Sequence, residues 1–184
     1  LYDYNTADKQ SQDLILSTGS YTPEQITVNE EKIVVGWQFG DSPGAVMIWN
    51  KMPNENNKQP DLILTWNPLG FGGVISAFIY DDYLFVSDIN NNRVCIYNSI
   101  PTNSSEPYNL VLGQKDLTSS LAGKSRIAMT MPAGLWFDGE YLWVGEFKWG
   151  NRVLGFKANI TPVPPEQPDS ISAKVISNNS INLS

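Results

Sequence analysis

The feature that most constrains this chain is a segment that recurs at a fixed interval. Asp13-Leu14-Ile15-Leu16, Asp61-Leu62-Ile63-Leu64 and Asn109-Leu110-Val111-Leu112 begin at positions 13, 61 and 109, a constant spacing of 48 residues. A second marker keeps the same period: Val46-Met47-Ile48-Trp49-Asn50 returns as Val94-Cys95-Ile96-Tyr97-Asn98, followed by Met52-Pro53 in one copy and Ile100-Pro101 in the other. Self-similarity at this length belongs to arrays of stacked units, either solenoids or propellers.

Each unit breaks into short apolar runs bounded by Gly, Asn, Asp and Pro, with no sustained 3.6-residue stripe, which is the strand signal. Strands are predicted at 75–80, 83–87, 93–98 and 110–112, at 25–28, 32–35, 46–49 and 62–64 in the unit before, and at 134–137, 141–144 and 152–156 in the unit after. Asp81-Asp82 and Asp138-Gly139 sit where tight hairpins need positive φ, and the Asn90-Asn91-Asn92 run suits left-handed backbone. Asp88 closes one strand and Arg93 opens the next. Glu146 and Arg152 repeat the relation one unit later, so both pairs are expected to lock their hairpins as structural ion pairs. The first full unit has Trp37 and Ala45 near those places.

Units of four antiparallel strands cannot cover both of their own faces, and stacking them radially gives a β-propeller. Residues 88–98 with Pro101 and Asn109-Leu110-Val111-Leu112-Gly113-Gln114 resemble the repeat of the NHL-type β-propeller family, and Asn151-Arg152-Val153-Leu154 is similar. The resemblance spans residues 1–158 and implies a partial ring of about 3.5 blades, a scaffold used mainly for binding. The period opens in mid-blade, so upstream blades or neighbouring subunits are expected to close the ring. A Pro-rich linker at 159–168 carries Pro162, Pro164, Pro165 and Pro168, and the alternation in 169–184 resembles the opening strands of a fibronectin type III β-sandwich. That last segment is too short for a sandwich of its own and is expected to be disordered or lent to a neighbouring sheet, as a fourth strand for the last blade.

Composition narrows the function. The 184 residues include 12 Lys and Arg against 19 Asp and Glu, a formal charge of −7, which argues against a nucleic-acid partner because phosphate neutralisation needs a clustered basic surface. Histidine is absent, removing imidazole bases and most zinc sites from this stretch. No apolar run approaches the roughly 18 residues of a membrane helix, and the lone Cys95 reads as a small buried hydrophobe. Asn103, Asn159, Asn178 and Asn182 satisfy the Asn-X-Ser/Thr acceptor pattern for glycosylation.

These features point to a non-catalytic extracellular or cell-surface propeller that binds protein or glycan or takes part in structural assembly. Trp37 and Trp149, at second-to-third-strand hairpins, are the expected exposed binding aromatics, while Trp49, Trp136 and Trp143 are expected to pack between blades; Trp66 completes the set. The irregular segments 37–45 and 115–130 are the expected partner surfaces. No cofactor is required by this reading. The alternative is a lyase- or lactonase-like propeller enzyme, with Asp88, Glu146 and Asn92 offering oxygens to Ca²⁺ at the channel mouth, and a third possibility is an intracellular interaction scaffold.

Overall fold

In a computed structural model, residues 14–16, 18–19, 22–29, 31–39, 42–65, 71–158, 173–177 and 180–183 are described. Trp66, Asn159, Asn178, the Pro-rich linker and the positions before Leu14 lie outside them, and of Asn182 only the backbone is described.

The chain is all-β. Strands β1 (Thr22–Val28), β2 (Ile33–Phe39), β3 (Ser42–Trp49) and β4 (Leu62–Leu64) form one antiparallel sheet in chain order, and β5 (Val74–Tyr80), β6 (Tyr83–Asp88), β7 (Arg93–Tyr97) and β8 (Leu110–Leu112) form the next. A third sheet holds β9 (Pro132–Phe137), β10 (Tyr141–Glu146) and β11 (Val153–Lys157). Strands β12 (Ala173–Ser177) and β13 (Ser180–Leu183) pair with each other in a separate two-stranded sheet. Among the described residues they do not complete the third sheet, whose strand order is β11-β10-β9.

The 48-residue period reappears as strand register. Val46 faces Leu64 across the first sheet as Val94 faces Leu112 across the second, and Ile48 faces Leu62 as Ile96 faces Leu110. The recurring Asp or Asn that opens each marker has a mechanical role. Asp61 accepts the Asn50 N–H at 2.8 Å while its own N–H donates to the Ile48 carbonyl, and Asn109 repeats both bonds with Asn98 and Ile96. The tight turns meet the expected backbone demand, with Asp81 at φ 47°, Asn92 at 55°, Gly139 at 97° and Asn151 at 53°.

Alternation along the strands gives each sheet two apolar faces, and the core lies between sheets. Val34, Val46, Ile48 and Leu64 of the first sheet pack on Ala77, Ile79, Leu84, Val86, Cys95 and Tyr97 of the second. The opposite face of the second sheet, with Phe78, Phe85, Val94 and Ile96, packs on Leu135, Phe137, Leu142 and Val144 of the third. The first strands run together along one side: β5 packs against β1 and β2, and β9 against β5 and β6. Approach is closest at Gly44, where a Cβ would lie 2.3 Å from the Val74 nitrogen, so this backbone contact requires glycine. Polar ties cross the same seam, with Thr27 Oγ1 donating to the Ala77 carbonyl at 2.8 Å.

Two expectations about tryptophans are corrected here. Trp37 is 5% exposed; it stands opposite Ala45 and packs with Ile33, Val35, Met47 and Trp49 on the outer face of the first sheet, so it is a core residue. Trp136 and Trp143 are 61% and 40% exposed; they stand opposite each other across β9 and β10, and the Trp136 ring also touches Phe78 of the second sheet, 5.3 Å between ring centres. Trp49 is buried beside Trp37 on that same outer face of the first sheet, not between two of the described sheets.

Candidate functional site

Four of the sequence-predicted residues meet at one end of the sheets, where second strands turn into third strands. Asp88 and Arg93 are cross-strand partners, and Arg93 Nε donates to Asp88 Oδ2 at 2.9 Å with both side chains fully buried. Asp88 Oδ2 also accepts from Asn91 Nδ2 at 2.9 Å, and Oδ1 accepts the Gly72 N–H at 2.8 Å. Arg93 Nη1 donates to the Leu117 carbonyl at 2.8 Å, and its guanidinium lies 5.6 Å from the centre of the Tyr108 ring, a cation–π distance. Burial pushes the Asp88 carboxyl up, against the opposing pull of Asn91 and the Arg93 charge.

The third sheet repeats the device with longer side chains. Arg152 Nε and Nη2 each reach a different Glu146 oxygen at 2.7 Å, a bidentate pair. Glu146 Oε1 also accepts the Thr130 N–H at 2.7 Å. Thr130 precedes Glu146 by the same 16 residues that separate Gly72 from Asp88, so each carboxylate fastens its hairpin to the segment entering its own sheet. Here burial raises the carboxyl, but the Arg152 and Thr130 hydrogen bonds and the Arg152 and Lys124 charges outweigh it and hold Glu146 below its ordinary value of 4.5.

Residues 115–130, read from sequence as a partner surface, serve as a tether between these two hairpins. Asn92 donates to the Ser120 carbonyl at 2.9 Å and accepts the Met131 N–H at 3.0 Å. Gln114 donates to the carbonyls of Asn92 and Leu121, and Arg152 Nη2 reaches those of Gly123 and Ala128. The Tyr108 hydroxyl donates to the Leu117 carbonyl. At the near end Asp116 Oδ1 gathers N–H and O–H donors from Thr118 and Ser119, which hold its carboxyl at about 2. Sequence reasoning missed this role because backbone carbonyls are the acceptors and carry no residue signature. The excess of Asn and Gln beside the two Arg residues was the available signal.

The oxygens suggested for Ca²⁺ on Asp88, Glu146 and Asn92 are thus occupied by donors from the chain itself. Among the described residues, no group of three or more His, Cys, Asp or Glu side chains is placed to hold a metal ion, and no helix is long and apolar enough to cross a membrane. Cys95 is fully buried, and burial pushes its thiol up, which leaves it inert as a nucleophile. Asn103 accepts from the Ser105 N–H and hydroxyl in a surface turn beside Glu106, on the outer connection between β7 and β8.

What the end of the third sheet presents to solvent is aromatic. Trp149 is 71% exposed at the tip of the β10–β11 hairpin, beside exposed Phe147, and the Lys148 ammonium lies 5.3 Å from the centre of the Phe147 ring. The tip is rigidly held: the Phe147 N–H donates to the Met131 carbonyl at 2.8 Å, and Gly150 lies so tightly against Glu146 that a Cβ there would sit 2.3 Å from the Glu146 Cβ. The equivalent residue of the second sheet, Ile89, makes the same backbone bond to Gly73 but is buried. Compared with known proteins, the chain matches no family model, no curated protein and no solved structure.

Proposed function

We propose that this chain is an arc of an NHL-type β-propeller acting as a non-catalytic binding module, extracellular or on a cell surface, that takes a protein or glycan partner. Radial stacking is supported by the first strands running together along one side while the faces of successive sheets bury each other in order. The observation that carries the binding role is the hairpin tip of Phe147, Lys148 and Trp149. Two exposed rings and a cation are mounted on a turn braced by the Glu146–Arg152 pair beneath it. Exposed, pre-organised aromatic rings give large contact area at low entropic cost, which suits stacking on sugar faces or anchoring in a partner's pocket. The carboxylates that an enzyme would need are engaged as struts, which supports contact rather than chemistry.

The test is tryptophan fluorescence of the chain and of Trp149→Ala, titrated with soluble glucan, chitin-derived and mannose-rich oligosaccharides, alongside capture of surface-labelled proteins from intact cells. Saturable quenching or capture that Trp149→Ala removes, with an unchanged melting temperature, supports the reading. Binding that survives Trp149→Ala overturns the assignment of the tip, and a cytosolic location of the protein overturns the extracellular role.

A further inference from the structure

The end of the third sheet that carries the Phe147 to Trp149 tip sorts charge. Between Leu117 and Phe137 the chain has Lys124 and Arg126 and no Asp or Glu, and the neighbouring hairpin adds Lys148. Glu146, the acidic side chain at the base of that hairpin, is engaged by Arg152 and by the Thr130 N–H. Among the described residues, Lys124, Arg126 and Lys148 enter no ion pair. A chain with a formal charge of −7 thus gathers three free cations in one place, which selects for an anionic partner.

The same place exposes apolar side chains. Leu121 and Ile127 of the tether are 78% and 77% exposed, beside Trp149 at 71% and Phe147 at 48%. Their loops form one braced surface. Segment 123–129 is closed by the Gly123 N–H on the Met129 carbonyl at 3.1 Å, with the Met129 side chain fully buried. Arg152 Nη2 on the Gly123 and Ala128 carbonyls, and the Phe147 N–H on the Met131 carbonyl, stitch it to the hairpin. The backbone of Leu121 is satisfied on both sides, its N–H donating to Gln114 Oε1 at 3.1 Å and its carbonyl accepting from Gln114 Nε2 at 2.9 Å. Leu121 can therefore leave water without stranding a main-chain group. The aliphatic pair decides between anionic partners. Leu and Ile offer a sugar ring no aromatic face to stack on, whereas a bilayer takes any apolar side chain without needing a matching pocket.

We infer that this end of the third sheet docks peripherally on an anionic lipid bilayer. Leu121, Ile127, Phe147 and Trp149 enter the boundary between headgroups and acyl chains, and Lys124, Arg126 and Lys148 lie among the lipid phosphates. Each part suits its depth. An indole ring favours the headgroup level, and the long stems of Lys and Arg bury against apolar surface while their charged ends stay in water. The negative potential of the bilayer surface attracts the cations within a Debye length. The inference rests on the cell-surface setting proposed above and gives the Trp149 tip a lipid partner in addition to protein or glycan.

The test is co-sedimentation of the whole chain with phosphatidylcholine vesicles, with and without phosphatidylglycerol. Binding to the mixed vesicles alone, weakened by added salt, is the expected result, together with a blue shift of tryptophan emission that Trp149→Phe loses. Lys124→Gln, Arg126→Gln and Lys148→Gln should each lower the partition roughly fivefold. Ile127→Ser should lower it while leaving the salt dependence in place, and the melting temperature should be unchanged in all four. No binding to either vesicle, equal binding to both, binding that the triple glutamine variant retains, or binding that Ile127→Ser leaves unchanged overturns the inference. The oligosaccharide and surface-protein measurements proposed above are made without lipid. Trp149-dependent binding there, with no vesicle binding, overturns the lipid partner and leaves the binding role standing; vesicle binding with neither sugar nor protein partner does the reverse.

Discussion

Trp37 stands opposite Ala45 across the first hairpin at the register position that Asp88 and Arg93 occupy in the second. Both pairs are buried, one apolar and one ionic. The same fold therefore tolerates either solution, as expected where the desolvation of a buried ion pair offsets much of its attraction. Removing one partner is different, because it strands the other. Asp88→Leu and Arg93→Met singly are expected to destabilise the chain by about 3–5 kcal/mol each. The Asp88→Leu/Arg93→Met double variant should lose far less than their sum, while staying below wild type because the Gly72 N–H loses its acceptor. Urea unfolding of the four proteins measures the coupling, and additive losses would count against it.

The first residue of the recurring marker is an acceptor clamp, and the chain itself shows that carboxylate and carboxamide both serve, Asp61 on the Asn50 N–H and Asn109 on the Asn98 N–H. Asn109→Asp should accordingly leave stability unchanged. Asn109→Ala should cost about 1 kcal/mol, the net worth of one such bond at a partly exposed site. A chemical denaturation midpoint that falls equally in both variants would assign the role to the amide nitrogen instead of the oxygen.

The repeat was the legible part, and the reason is physical. A period of 48 with apolar residues at alternating positions leaves one register in which both faces of each sheet are filled, so strands β5 to β8 and the Asp88–Arg93 and Glu146–Arg152 pairs follow from spacing alone. Trp37 was misread because its place beside a hairpin looked exposed, while its register partner Ala45 leaves a volume that a large ring fills. Trp136 and Trp143 were misread for the opposite reason: alternation assigns a side chain to a face, and only the presence of the next sheet decides whether that face is buried. The 115–130 tether was illegible because its acceptors are main-chain carbonyls.

Asn92 holds that tether from two sides and sits at φ 55°, a conformation that Gly adopts freely and Ala resists. Asn92→Gly keeps the backbone but loses the bonds to Ser120 and Met131. Limited trypsin digestion should then cut at Lys124 and Arg126 sooner than in the wild type, with the core sheets still protected. Asn92→Ala should add backbone strain and lower the melting temperature further. Unchanged cleavage in Asn92→Gly would mean that Gln114 and the two arginines hold the segment without it.

The two ion pairs should answer acid in opposite directions. Glu146 titrates below its ordinary value of 4.5 in the folded chain, so its contribution is present above that value and is lost as pH falls through the lower folded one. Asp88, raised by burial, binds a proton more readily folded than unfolded, so on its own it favours folding as the pH falls. Asp116, held at about 2, and Asp138, held low by the Tyr141 N–H and the Trp143 indole, act in the same sense as Glu146. Glu146, Asp116 and Asp138 are thus each a source of stability loss in acid, against which Asp88 works. Glu146→Gln removes one source of it: its melting temperature should lie furthest below wild type above about pH 5 and converge on it as the pH drops below the ordinary carboxylate range. Thermal melts of the two proteins between pH 3 and pH 7 read this directly. A constant gap across that range would show that the Arg152–Glu146 contact acts through its hydrogen-bond geometry without regard to charge.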